Sequence, residues 1–593
     1  MRIGLLTDGG YPYAAGEARV WCERLVRGLA QHEFDLYALS RSARQEDLGL
    51  VALPPQVRRV RTAALWAPQD DGRGYGRRER RRFLGHFQDL VAAICSPGAD
   101  RAGPADDDHG PAGHGLPGAA PDGIRRAAPD EAGDGFAEGL YGLAELAREH
   151  GGLPAALRSE YAVRALESAC RAPGARRTVR AAAVPDHLAF ADELERALRP
   201  LSLDWYGDDD LGAVDLCHAA SGGSAALPGL LAKRFFGVPL LVTEYGVQLR
   251  AHYLASGAAR RPGGGRELSG PVRALLAAFH GRLAAETYTR ASVITPGNTH
   301  ARRWQEKCGA DRDKLRTVYP GMEADRFAAV GEGEQGGDPL TLVWVGRIEP
   351  VKDLIALLHA FAEVRKEEPR ARLRLFGTAV RGPGSATPGS ATYLSHCRAL
   401  AAQLFPDEAA DAHAVGDNPV SFEEIGGPEA PELADAYAAG GVVVLSSVVE
   451  GFPLSLVEAM FCGRATVSTD VGAVVEVIGG TGLVVPPRNP RALADACLAL
   501  LRDPERAARL GAAARARALE LFTAEQNIAA FRAVYLELIS HSPVRREPVN
   551  EAGEPLPFGH PAEAHVPVGL RGAGDGNPLP GFVTSATAEE ARA

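Results

Sequence analysis

Long apolar runs are absent from this chain of 593 residues. None reaches the ~20 residues that a membrane-crossing helix requires, so no transmembrane segment is expected. An excess of positive charge is missing as well. Lys and Arg total 65 against 75 Asp and Glu, a net charge of −10. No basic stretch is dense enough to predict nucleic acid or an anionic lipid surface as a partner. Cysteine is sparse: the eight, at 22, 95, 170, 217, 308, 397, 462 and 497, fit no metal-ligand spacing. They read as small buried residues in a reducing compartment, not as a disulfide framework. Met1–Asp8 runs straight into a strand and not into a leader, and a soluble cytoplasmic protein is the expectation. Asp106–Asp108 and Asp208–Asp210 follow no convincing strand and read as solvated loops, so no metal site is assigned. The composition, 46% hydrophobic and 24% charged, is that of a globular protein too long for one core.

What is present is concentrated between Val442 and Thr469. Val442–Ser446 is a β-branched and aliphatic run, as in a strand buried on both faces. A loop with Glu450, Gly451 and Phe452 follows. Pro453 then opens a helix that continues through Leu454, Ser455, Leu456 and Glu458. The N–H groups of Gly451 through Ser455 converge beyond the strand's carboxyl end, an arrangement that accepts a diphosphate. Upstream, Leu340–Val345 is another buried strand. Arg347 and Lys352 come just after it and face the same crevice.

Seven residues separate Glu450 from Glu458, and the turn reads Glu-Gly-Phe-Pro. In this the chain resembles the family-4 retaining glycosyltransferases. The segment from Thr7 to Trp21 and the Thr-Glu-Tyr-Gly at 243–246 are further similar to the Pel exopolysaccharide glycosyltransferase group. The resemblance covers 1–95 and 200–540 in pattern, most specifically 340–490. It implies the GT-B arrangement, two doubly wound α/β Rossmann-like domains facing across a cleft. It implies that Arg347 and Lys352 bind the donor diphosphate without a metal or other cofactor. Glu450 would hold the donor sugar, Glu458 the ribose, and Gly377 would let the chain approach the nucleotide. The donor would be UDP-glucose or a similar UDP-hexose and the acceptor an unidentified hydroxyl compound. A role in polysaccharide or glycoconjugate synthesis, peripheral to a membrane complex, is implied with it. Charge-assisted hydrogen bonds contribute roughly 1.5–3 kcal/mol each and the helix end ~0.3–1 kcal/mol, so the cations should dominate. Three other readings share the layout: a nucleotide-sugar epimerase, a phosphorylase and a catalytically idle partner in a polysaccharide assembly.

The first half opens as strand Arg2–Asp8, glycine loop, helix and strand Phe34–Leu39, the start of a doubly wound domain. Gly16 is a candidate donor contact, although Glu17 stands where the resembled group has a glycine. Residues 96–135 hold few large apolar groups and are expected to be a disordered insertion. Tyr245 replaces the histidine of the resembled group on the acceptor side. Either no histidine is needed there, or His218 or His252 substitutes. Leu315–Tyr319 reads as a strand and 331–337 as the linker. The expected division is 1–330, 338–520, a returning helix at 521–540 and a disordered tail at 541–593.

Overall fold

The structure, a computed structural model, describes residues 1–14, 19–67, 71–97, 131–247, 249–250, 252, 268–332, 337–378, 390–406 and 418–541. The chain folds on two parallel sheets of six strands each. The first is ordered β3-β2-β1-β4-β5-β6, from β1 (Arg2–Asp8), β2 (Glu33–Ser40), β3 (Val57–Ala64), β4 (Leu216–Ala219), β5 (Leu240–Glu244) and β6 (Val293–Pro296). The second is ordered β12-β11-β10-β7-β8-β9. Its strands are β7 (Asp338–Gly346), β8 (Arg372–Thr378), β9 (Val420–Ile425), β10 (Gly440–Leu445), β11 (Ala465–Thr469) and β12 (Leu483–Val485). Each sheet reverses its order beside its first strand, so each has a crevice outside its strands' carboxyl ends. Central strands such as β1 and β10 are almost wholly buried, which their continuous apolar runs require.

Between β3 and β4 the first domain carries a helical layer: Arg77–Cys95, Glu131–His150, Glu160–Arg171 and Val184–Leu198. The first two pack closely because Gly139 brings its backbone against the other helix. A Cβ there would stand 2.6 Å from the His86 carbonyl oxygen. The second of these helices begins at Glu131, inside the stretch expected to be disordered. Residues 98–130 of that expectation lie outside the described residues, as do Asp106–Asp108, residues 333–336 of the linker and the tail from 542. Leu315–Tyr319 is a second difference. It forms an isolated bridge, Leu315 to Ile294, and follows β6 only through Arg316 N–H to the Ile294 carbonyl and Val318 N–H to the Pro296 carbonyl, both at 2.9 Å. Asp210 of the later acidic run pairs with Arg59 and Arg61 of β3.

Helix Ala524–His541 returns to the first domain. Phe531, Tyr535 and Leu538 share a core with Ile3, Leu5, Trp21 and Leu25. The chain thus crosses between domains twice, and the crossings touch. Met322 N–H donates to the Phe522 carbonyl at 2.9 Å and Ala524 N–H to the Met322 carbonyl at 2.9 Å. Across the cleft, Glu476 accepts from Thr299 N–H at 2.7 Å and from the Tyr319 hydroxyl at 2.8 Å. Among the described residues, no helix is long and apolar enough to cross a membrane.

Candidate active site

β7 and β10 are neighbours at the switch point of the second sheet. The segments leaving their carboxyl ends are laced together. Val448 N–H donates to the Val351 carbonyl at 2.9 Å, and Ser446 Oγ to the Lys352 carbonyl at 2.7 Å. Lys352 closes a short 3-10 turn, Pro350–Lys352. Asp353 follows in the left-handed region, φ 48°, and its carboxylate caps helix Leu354–Glu367 through Ala356 N–H at 3.2 Å. This lacing points the Lys352 ammonium at the Glu450 carboxylate, and the two form a direct ion pair. Ser447 Oγ donates to the same carboxylate oxygen, Oε1, at 2.6 Å. Among the described residues Oε2 has no hydrogen-bond partner, so it is available to a ligand hydroxyl.

Helix Leu454–Phe461 begins one residue later than expected, with Pro453 as its N-cap. No atom lies within 4 Å of where a Cβ would stand at Gly451, among the described residues, so the turn is open on that side. Phe452 packs between the ring of Tyr319 at 6.3 Å and that of Phe522 at 5.6 Å, tying the turn to both interdomain crossings. Leu454 is exposed and Ser455 partly so. Behind the turn, Gly472 (φ 59°) lies so close that a Cβ would stand 2.8 Å from the Gly451 carbonyl oxygen and nearer still to that of Glu450. Glu458 lies deeper on the helix and accepts from the Tyr437 hydroxyl at 2.6 Å. Burial raises its pKa, opposed by that hydrogen bond and by the charge of Arg326.

The other predicted residues divide. Gly377 is paired in register with Gly346 at the strands' carboxyl ends. Arg347 is on the same rim, but its side chain is 71% exposed with its guanidinium 3.6 Å from Glu349, and among the described residues no hydrogen bond or ion pair joins it to the turn. Gly16 lies outside the described residues. Tyr245 is packed edge-on against Trp21, ring centres 5.3 Å apart, and accepts from Asn527 Nδ2 at 3.1 Å. It therefore fastens the returning helix to the first domain. Of the two candidate histidines, His218 is fully buried, and both ring nitrogens are engaged at 2.7 Å, by the Tyr535 hydroxyl and Thr243 Oγ1. Burial pushes its pKa down to about 3. It is a core group with no route to the crevice. His252 Nε2 lies 3.2 Å from the Arg273 carbonyl oxygen.

Sequence reasoning passed over Ser447, Gly472 and Arg250. The Ser446-Ser447 pair at the end of an apolar strand and the glycine after Asp470-Val471 were visible signals. Arg250 carried none: it enters the site from the first domain, and its Nη2 donates to the Glu450 carbonyl at 3.1 Å.

Two families match parts of the chain. Residues 339–503 match the family described as "Glycosyl transferases group 1", and residues 1–106 and 136–313 match a "Domain of unknown function (DUF3492)". A D-inositol 3-phosphate glycosyltransferase of Streptomyces bingchenggensis is 32% identical over 241 residues, 39% of this chain and 49% of that protein. D-inositol 3-phosphate glycosyltransferase 2 of Catenulispora acidiphila is 31% identical over 309 residues, 51% of this chain and 65% of that protein. The chain spans about half the length of most such relatives it matches. Among solved structures, sucrose-phosphate synthase from Thermosynechococcus elongatus superposes with a TM-score of 0.50 at 16% identity, covering 91% of this chain and all of that one. That likeness is one of fold, and with the two six-stranded sheets it establishes the two-domain Rossmann-like GT-B arrangement.

Proposed function

We propose that this protein is a retaining glycosyltransferase that moves a hexosyl group from a UDP-sugar, UDP-glucose or a close relative, to an acceptor hydroxyl. The observation that carries the reading is the Lys352–Glu450–Ser447 cluster at the head of an open glycine turn, at the switch point of the second sheet. The match of residues 339–503 and the glycosyltransferase names of the relatives support it. The donor's diphosphate lies over the N–H groups of Gly451, Phe452 and Ser455, since Pro453 has none and Leu454 N–H donates to the Phe452 carbonyl at 3.0 Å, with Lys352 and Arg347 as its cations. Glu450 takes sugar hydroxyls through Oε2, Glu458 takes the ribose, and Gly377 admits the nucleotide. The bond between the anomeric carbon and the phosphate oxygen breaks, and its electron pair stays on the phosphate. The acceptor oxygen bonds to the anomeric carbon on the same face, and its proton passes to the departing phosphate. The amides and cations stabilise the charge developing there, in place of a metal ion.

The domain division proposed is 1–330 for the acceptor side and 338–520 for the donor side, in the cytoplasm. The likeness of residues 7–21 and 243–246 to the Pel group supports work on a polysaccharide or glycoconjugate, peripheral to a membrane complex. Nucleotide release is the test, measured across UDP-, GDP- and ADP-hexoses, with and without EDTA, with product configuration read by NMR. Release from a UDP-hexose, indifferent to EDTA and with the anomeric configuration kept, is expected. No release from any donor, or an inverted product, overturns the reading.

A further inference from the structure

Arg250 belongs to the first domain, yet its guanidinium lies in the site of the second. Its neighbour Leu249 is buried in the first domain's core, which fixes where the backbone stands. From there Nη2 reaches the Glu450 carbonyl at 3.1 Å, one residue before the open Gly451. That bond uses one of the five N–H groups of the fork. Among the described residues the other four have no partner, and no carboxylate pairs with this cation. The other cation at this turn is already matched, Lys352 with Glu450. Desolvation draws the Arg250 pKa down and the nearby Glu450 charge draws it back, as for a cation held partly out of water. A half-buried fork with four free donors fits an anion that offers several oxygens. The carbonyl it touches is a neutral acceptor. An ionised phosphate oxygen makes the shorter and stronger bond.

We infer that Arg250 is a donor-phosphate ligand supplied by the first domain, so that the diphosphate over Gly451 is gripped from both sides of the cleft. The inference rests on the proposed nucleotide-sugar reading and adds the cross-cleft cation.

Calorimetry with UDP, GDP and ADP, and with uridine, guanosine and adenosine, tests it on the unaltered protein, Arg250→Leu and Arg250→Lys. Arg250→Leu should weaken the best-bound diphosphate roughly 10- to 100-fold while leaving the matching nucleoside within about twofold. Arg250→Lys should fall between, since it keeps the charge but not the fork. Equal diphosphate affinity in all three proteins, or equal losses for nucleoside and diphosphate, overturns the assignment and leaves the nucleotide-sugar reading standing. No binding of any diphosphate by the unaltered protein overturns both.

Discussion

Replacing Lys352 by methionine removes the charge from a pair that is largely sealed from water while keeping the length of the side chain. The Lys352 side chain is 17% exposed and that of Glu450 10%. Two things are lost at once. The donor phosphate loses a cation, and among the described residues the Glu450 carboxylate keeps Ser447 as its one remaining hydrogen-bond donor. A charge-assisted hydrogen bond contributes roughly 1.5–3 kcal/mol, and the partial exposure of the pair keeps the total near that range. At about 1.4 kcal/mol per factor of ten, nucleotide release should slow ~10- to 150-fold. The assay is initial-rate nucleotide release with the preferred donor, alongside circular dichroism to establish that the fold persists. A cycle with Glu450→Gln should then show a coupling energy of ~1–3 kcal/mol, because the two groups touch. Release by Lys352→Met within about twofold of the parent rate, or additive effects in the cycle, would refute the reasoning.

Other perturbations probe the surroundings. Gly472→Ala should cost ~1–3 kcal/mol from the crowding of the Glu450 and Gly451 carbonyls and the left-handed backbone. Turnover should fall far more than far-UV signal, and an unimpaired Gly472→Ala enzyme would contradict the packing. Tyr245→Phe removes the hydrogen bond to Asn527 and should lower stability by about 1 kcal/mol with the acceptor KM unchanged. A raised acceptor KM would instead place the tyrosine in the acceptor site. His218 has its folded pKa lowered to about 3, below the unfolded value of about 6.5. The unfolded chain therefore binds the extra proton first. The stability due to neutral burial is complete above about pH 6.5 and is lost as pH falls toward 3, at up to ~1.4 kcal/mol per pH unit. His32 and His280, each lowered to about 4, add to the same loss. Denaturant titrations of His218→Gln should show a shallower decline between pH 6 and 4, and an unchanged slope would contradict the assignment.

The buried strands were legible because burial on both faces leaves a plain apolar run, as in β1, β5, β7 and β10. β3 and β9 were not, for one physical reason. They are edge strands, half exposed, and carry Arg58, Arg59 and Arg61 or Glu423 and Glu424 where a central strand carries valine. The Glu-Gly-Phe-Pro turn and Lys352 could be paired from sequence because both adjoin recognisable strand ends at one switch point. The partnership of Tyr245 with Asn527, 282 residues apart, follows from where the last helix docks. The same limit hid Arg250, whose contact spans 200 residues and two domains. Arg347 shows the opposite case: its position on the rim was readable, but its outward rotamer beside Glu349 was not.

The two strands of chain that pass between the domains lie side by side, knitted through Met322, Phe522 and Ala524. A single tether leaves a body free to twist as well as to swing. Two adjoining tethers define a line, and rotation about that line is the motion they leave soft. The jaws of this molecule should therefore open like a door and not like a ball joint, meeting in the same register at every closure. Cutting the chain after Leu521 would sever one tether and release the twist.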